Sequence, residues 1–298
     1  MTVAVMRSRL ARDCPFQMSR TPMRLTLVDV FAEHRYAGNQ LAVVQDAAVL
    51  ADDEMQAIAR EMNFSETTFV LAESPGAATV RIFTPTQELP FAGHPTLGTA
   101  WVLTEGAGTI TLQLPMGPVP VHFDAATGIG WFVPPAPQLG AIFDPQQAAA
   151  LLGLSAGDLH PQLPPQLVQL GPEFLFVPLQ GDGSLRRARL DAGRHDALLA
   201  AGVPAFGVFL FCEGEPGIKP DYRARMFFRT PEVREDPATG SANAALAGYL
   251  RHHLGRPISA VVEQGAEIQR PSRLYLRADT EIAVGGRVQC VMRGKLTR

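Results

Sequence analysis

Glu66, His94 and Asp236 are the side chains of this 298-residue chain whose settings could do chemistry. Glu66 lies in "NFSETTFV" (63–70), where a helical pattern gives way to a strand pattern. Ser65 and Thr67 beside it could hold its carboxylate. Phe64 and Phe69 offer an apolar setting that would lift its pKa toward the working range of a general base. His94 follows Gly93 in "ELPFAGHPTLGTA" (88–100), and Asp236 precedes Gly240 and Ser241 in "EDPATGSANAALAGYL" (235–250). Both stretches read as a tight turn opening a helix. A helix N-terminus carries unpaired N–H groups and a partial positive charge, which makes it a place for a carboxylate. Glycine there lets a ligand approach the backbone closely. For Asp236 two roles are open: an acid that supports the following helix, or a hydrogen-bond partner or second acid/base for a substrate.

The elements that must position these groups are legible in outline. "LTLVDVF" (25–31) and "AGNQLAVV" (37–44) read as strands, the second fed by a Gly-Asn turn. Residues 50–63 have helical spacing with acids in the first turn. "ETTFVLAE" and "ATVRIFT" read as paired strands around Ser74-Pro75-Gly76. A helix closed by Gly106 follows, then short strands in "GTITLQLP", "PVPVHFD" and "IGWFVPP". Residues 134–147, rich in Pro and Gln, read as a linker. Beyond it come a helix in "PQQAAALLGLS", strands in "EFLFVPL", "FGVFLFCE" and "YRARMFFR", a helix closed by Gly255, and strands in "ISAVVEQG", "RLYLRA" and "RVQCVM". Strands therefore dominate each half, with one or two helices apiece. The halves echo each other: "RIFTPTQELPFAGHPTLGTA" from Arg81 resembles "RMFFRTPEVREDPATGSANA" from Arg225. A one-residue gap sets Thr96 on Thr239, Gly93 on Asp236 and His94 on Pro237. The expectation is a duplicated α+β unit with a cleft between two related domains, 23–137 and 138–298, the last strand near 286–298 returning to the first.

Composition excludes several classes. Hydrophobic residues are 46% and charged residues 18%, the balance of a globular enzyme. A net charge of −3 with scattered Lys and Arg gives no footprint for nucleic acid. No run of about 18 apolar residues calls for a membrane span. Cys14, Cys212 and Cys290 form no zinc spacing and fit a reducing cytoplasm; Cys212 and Cys290 fall in apolar strands and read as core thiols. Residues 1–22 carry Arg7, Arg9, Arg12 and Arg20 against Asp13 and read as an unstructured extension, with a strand pattern starting at Met23.

Taken together, "VDVFAEHRYAGNQLAVV" (28–44), "NFSETTFV", "FTPTQELPFAGHPTLGTA" (83–100), "EDPATGSANAALAGYL" and "EQGAEIQRPSRL" (263–274) resemble the PhzF-like family, isomerases of phenazine biosynthesis and their relatives. The resemblance implies the diaminopimelate-epimerase-like fold: α+β, two pseudo-symmetric domains, each a mostly antiparallel sheet wrapped around a central helix. It implies a cofactor-independent isomerase, with no metal or organic cofactor, in which Glu66 shuttles a proton between carbons of a small carboxylic acid. His94 and Asp236 would contact the substrate's polar groups, backbone N–H groups near Gly93, Gly240 and Ser241 would hold its carboxylate, and Asn39 would line the cleft. A homodimer is the implied assembly. Epimerase cousins place a cysteine in each helix-opening turn; here those positions read as Gly93 and Asp236, which disfavours cysteine-based racemisation. Epimerisation with Glu66 and Asp236 as two bases, and a non-catalytic metabolite-binding role, are the alternatives.

Overall fold

A computed structural model describes residues 22–230 and 232–297. The expected extension, apart from Pro22, and Cys14 lie outside the described residues. Strand β1 (Met23–Val30) pairs antiparallel with β2 (Asn39–Val44). A parallel neighbour requires a crossover, and α1 (Asp52–Met62) supplies it, leading to β3 (Glu66–Ser74) parallel to β2. Asp52, Asp53 and Glu54 fill the first turn of α1, and Glu54 accepts the Ala51 N–H at 3.0 Å. Asn63, left-handed at φ 52°, ends the helix. The turn that follows makes Glu66 the first residue of β3. Strands β4 (Ala77–Phe83) and β5 (Glu88–Leu89) form a hairpin. Helix α2 (Gly93–Thr104) crosses to β6 (Gly108–Leu114), parallel to β4, and β7 (Gly117–Asp124) and β8 (Ile129–Phe132) continue antiparallel.

The same pairings then recur. Strand β9 (Gln138–Ile142) precedes α3 (Pro145–Leu151) and pairs with β10 (Gln166–Gln169), which pairs with β11 (Glu173–Pro178). Helices α4 (Asp182–Arg187) and α5 (Ala192–Ala200) cross to β12 (Gly207–Glu213), parallel to β11. Strands β13 (Tyr222–Thr230) and β14 (Glu232–Asp236) form the second hairpin. Helix α6 (Gly240–Leu254) leads to β15 (Ile258–Gln264), parallel to β13, then β16 (Ser272–Ala278) and β17 (Ile282–Gly286). Strand β18 (Val288–Leu296) pairs with β1 as β9 pairs with β10, and the repeats join edge to edge where β8 pairs with β17. The fold is thus α+β and pseudo-symmetric, its mostly antiparallel strands wrapped around α2 in one repeat and α6 in the other. Residues 93–100 of α2 and 240–250 of α6 are all buried, as expected of helices that are small or apolar on every side. Among the described residues no helix is long and apolar enough to cross a membrane.

Three expectations need correction. The stretch 134–147 contains β9 and the start of α3 rather than only a linker. Every β9 residue is exposed or half-buried, so an edge strand there carries polar residues and hides from a hydrophobic pattern. Among the described residues the second half has four helices, because α4 and α5 together make the β11–β12 crossover. They cover the outer face of those strands, where Leu185, Ala188 and Leu190 pack on Leu175, Val177, Val208 and Leu210. Covering both faces explains why β11 and β12 read as unbroken apolar runs. Cys212 is a core thiol, whereas Cys290 on β18 is only half-buried.

The internal echo is physical, with a different register. Arg81 donates to both carboxylate oxygens of Glu88 (2.8 and 2.7 Å), and its guanidinium lies 5.0 Å from the Phe83 ring centre. Arg225 does the same with Glu235 (3.0 and 2.7 Å) and with Phe227 at 4.7 Å. Phe83 faces Glu88 across the first hairpin and Phe227 faces Glu235 across the second, so the second hairpin is longer. That insertion shifts the expected alignment. Gly93 corresponds to Gly240, the first residue of the other central helix, and Asp236 corresponds to Leu89, since Met226 faces Asp236 as Ile82 faces Leu89.

The two ion pairs should differ in worth. Arg225 and Glu235 are 5% and 7% exposed, against 21% and 33% for Arg81 and Glu88. Arg225→Ala strands a buried carboxylate and should lower stability by about 3–5 kcal/mol. Arg81→Ala should cost about 1 kcal/mol. Denaturant titration of both variants measures the difference, and equal losses would contradict it.

Candidate active site

The N-termini of α2 and α6 meet in the middle of the molecule. A Cβ on Gly93 would stand 2.8 Å from the Gly240 Cα and from the Ser241 nitrogen, so only glycine permits this approach. The first-turn N–H groups of both helices are those a helix leaves without internal partners. They open into a cavity of about 510 Å³ lined by both repeats. Glu66, Asn39, Gly93, His94, Asp236, Gly240 and Ser241 all line it.

The two carboxylates in the cavity are treated differently by their neighbours. Asp236 has three donors: its Oδ1 accepts from Asn39 Nδ2 and Ser65 Oγ, both at 2.9 Å, and its Oδ2 accepts from Thr239 Oγ1 at 2.6 Å. Burial still raises its pKa, against the pull of those three donors. Glu66 Oε2 is buried with no hydrogen-bond partner among the described residues. Burial, with the Asp236 charge adding to it, holds the Glu66 pKa well above the usual carboxylate range. Its nearest cation candidate is His94, Nε2 to Oε2 at 3.5 Å. Burial pulls the His94 pKa down to about 3, although a backbone hydrogen bond with Gln40 opposes it, so the ring is neutral. His94 Nε2 is likewise without a hydrogen-bond partner. Both orphaned atoms belong to the cavity lining, as groups that await a ligand do.

The turn that carries Asp236 is braced from behind by Gln264, the fully buried last residue of β15. Gln264 Nε2 donates to the Asp236 carbonyl (2.9 Å) and to Thr239 Oγ1 (3.0 Å), while its Oε1 accepts from the Thr239 N–H (3.2 Å) and Asn243 Nδ2 (2.9 Å). Because Gln264 donates to the Thr239 hydroxyl, that hydroxyl must spend its own proton on Asp236. Opposite the helix ends the wall is aromatic: Phe206 stacks on Phe228 (6.2 Å, 12°) and meets Phe174 edge-on (6.4 Å).

Residues 28–295 match the family model described as phenazine biosynthesis-like protein. The chain belongs to that family. It is 38% identical over 278 residues to trans-2,3-dihydro-3-hydroxyanthranilate isomerase of Pseudomonas aeruginosa, covering 90% of this chain and 94% of the relative. The enzyme of the same name from Pseudomonas chlororaphis is 37% identical, covering 85% and 89%. Among solved structures, a PhzF-family protein of Bacillus anthracis superposes with a TM-score of 0.81 at 25% identity, over 93% of this chain and 99% of the other. A predicted epimerase of Pseudomonas aeruginosa gives 0.77 at 35% identity, over 92% and 99%. A hydroxyproline epimerase of Agrobacterium vitis, at 12% identity and TM-score 0.59, shares the fold alone. The chain is an isomerase of diaminopimelate-epimerase-like fold.

Not every neighbour expected of Glu66 reaches it. Ser65 donates to Asp236 instead, and Thr67 Oγ1 is buried without a hydrogen-bond partner, because alternation along β3 turns it away from the cavity. Phe64 lines the cavity, but Phe69 packs edge-on against Phe83 in a separate core (5.5 Å). Cys212 takes no part in the cavity, and burial pushes its thiol up to about 12. Gln264 and Thr239 brace the site without belonging to any of the expected site residues. The available signal was a polar side chain on the inward face of β15, in step with Ile258, Ala260 and Val262. Among the described residues no group of three or more His, Cys, Asp or Glu is placed to hold a metal ion.

A buried carboxyl with a raised pKa has a consequence for stability. As pH rises from the ordinary glutamate range to the pKa of folded Glu66, the unfolded chain releases a proton that the folded chain keeps, so stability falls. Glu66→Gln removes this penalty. Its melting temperature should exceed wild type at pH 8 by a few degrees, and the gap should close as the pH approaches 4. A Glu66→Gln protein less stable than wild type at pH 8 would contradict the electrostatic reading.

Proposed function

We propose that this isomerase moves a proton between two carbons of a small unsaturated carboxylic acid, with Glu66 as acid/base and without a metal or organic cofactor. The observation that carries the reading is the orphaned Glu66 Oε2, buried beside a neutral His94 at the meeting point of two helix N-termini. The substrate carboxylate would take the N–H groups at Gly93, Gly240 and Ser241. Glu66, ionised, removes a proton from an activated carbon. The electron pair enters the π-system, where the fixed N–H dipoles stabilise it. The Glu66 carboxyl then returns the same proton to another carbon of that system, so the double bond moves and no atom is gained or lost. A raised pKa suits both halves: the carboxylate is a stronger base, and the carboxyl keeps its proton until the second carbon takes it. Neutral His94, Asn39 and Asp236 would orient the substrate's polar substituents.

Asp236, with three donors on its oxygens, suits an anchor better than a second base, which weighs against two-base epimerisation. Trans-2,3-dihydro-3-hydroxyanthranilate, the compound in the names of two of the relatives, is included in the panel of candidate substrates.

The test is NMR in deuterated water on that compound and a set of small amino, hydroxy and unsaturated acids. Wild type should shift the double bond, with deuterium entering the receiving carbon to the extent that the Glu66 carboxyl exchanges with solvent between the two transfers, and Glu66→Gln should lower the rate of the shift by about 100-fold or more. Undiminished turnover in Glu66→Gln would refute the assignment. Exchange at one stereocentre without migration of a double bond would favour epimerisation, and binding with neither migration nor exchange would favour a metabolite-binding role.

A further inference from the structure

Most charged side chains lining the cavity are already committed or belong to the site described. Glu66 and Asp236 are the central carboxylates, Glu235 is paired with Arg225, and Arg270 is paired with Asp29 at 2.6 Å. Two cations remain. Arg60, in the last turn of α1, and Arg234, on β14, both line the cavity and are exposed. Among the described residues no hydrogen bond or ion pair engages either one.

Their placement follows from the elements that hold the carboxylates. Arg234 and Asp236 are two apart on one strand, so they point to the same face. Arg234 also faces Phe228 directly across the β13–β14 hairpin, next to the stacked Phe206. Arg60 precedes the left-handed Asn63 that turns the chain toward Glu66. The hairpin of the second repeat is the longer one, and the position matching Arg234 in the first is Gln87, so this cation is a departure from the repeat. A cavity of about 510 Å³ is also in the range of ligands larger than a single small ring.

We infer that Arg60 and Arg234 form a second anion subsite at the cavity mouth, and that the substrate is a diacid: a carboxylate on the helix ends, an unsaturated body along the Phe206–Phe228 wall, and a second carboxylate between the two arginines. This deepens the proposed function and rests on its placement of the first carboxylate.

Calorimetric titration with cinnamate and 4-carboxycinnamate tests it, in wild type and in Arg60→Gln, Arg234→Gln and the double variant. Both arginines are exposed and outside the described ion pairs, so the fold should persist. At low salt the diacid should bind wild type about tenfold more tightly than the monoacid. Each single variant should lose part of that preference and the double variant nearly all of it, with cinnamate affinity unchanged. A monoacid that binds while the diacid gains nothing, or a preference that survives the double variant, overturns the subsite alone. If neither acid binds wild type at millimolar concentration, the first carboxylate's placement fails and the subsite falls with it.

Discussion

Two helix N-termini in backbone contact are the constraint from which the rest of the molecule follows. The glycines at 93 and 240 allow the contact, since a single methyl group on Gly93 would overlap the opposite backbone. To reach that point both helices must run through the middle of their sheets, so every side of them is buried. This is why α6 reads as a run of Ala, Leu and Gly with one large ring, Tyr249, tied by its hydroxyl to the Pro164 carbonyl at 2.6 Å. Burial removes water from the helix ends, and a partial charge acts more strongly in such surroundings than at a surface. Buried N–H groups without partners are also costly. Both effects favour occupation by an anion.

A duplicated frame would by default build the same side chains twice around this point. Instead the repeats have diverged wherever chemistry is concerned. Leu89 stands where the second repeat has Asp236, and Ser241 corresponds to His94. Glu66 corresponds to Gly207, because each opens a strand whose next residue faces Phe83 or Phe227 across the sheet. Each repeat therefore contributes one carboxylate from a different place in its fold. What remained symmetric is structural: the Arg–Glu pairs, the cation–ring contacts beside them and the glycines. The result is a one-sided site on a two-sided frame, which suits a single proposed base.

The frame was the more legible part of the sequence. Alternation and Arg-apolar-Phe runs mark the inner strands and the duplication, and the Gly-His-Pro-Thr and Ala-Thr-Gly-Ser turns mark both central helices. Covered or peripheral pieces were harder: β9 is an exposed edge whose composition resembles a linker, and α4 and α5 are short. The register of the repeat is not legible in the sequence, because an insertion in a hairpin leaves no periodic signature. The site residues are legible by type, by setting and by the family resemblance of their motifs, and they do share a cavity. Their hydrogen-bond partners are not, since neighbours in sequence need not be neighbours across a sheet.

Ser65 illustrates that last point and decides the character of both acids. It precedes Glu66, yet it lies in the turn before β3 and its hydroxyl reaches Asp236, far away in the chain. Had it donated to Glu66, the charged form of that carboxylate would be stabilised and its pKa would fall. Asp236 would lose one of the donors that offset its burial. One hydroxyl thus widens the difference between a carboxylate whose burial is partly offset by donors and one whose burial is not. A carboxylate with three donors is a firm anchor and a poor base; one with none is a poor anion and a strong base. The unsatisfied acid is fixed at the first residue of β3, in register with Leu41 of β2, and the packing of the rest of the fold has to offset its cost.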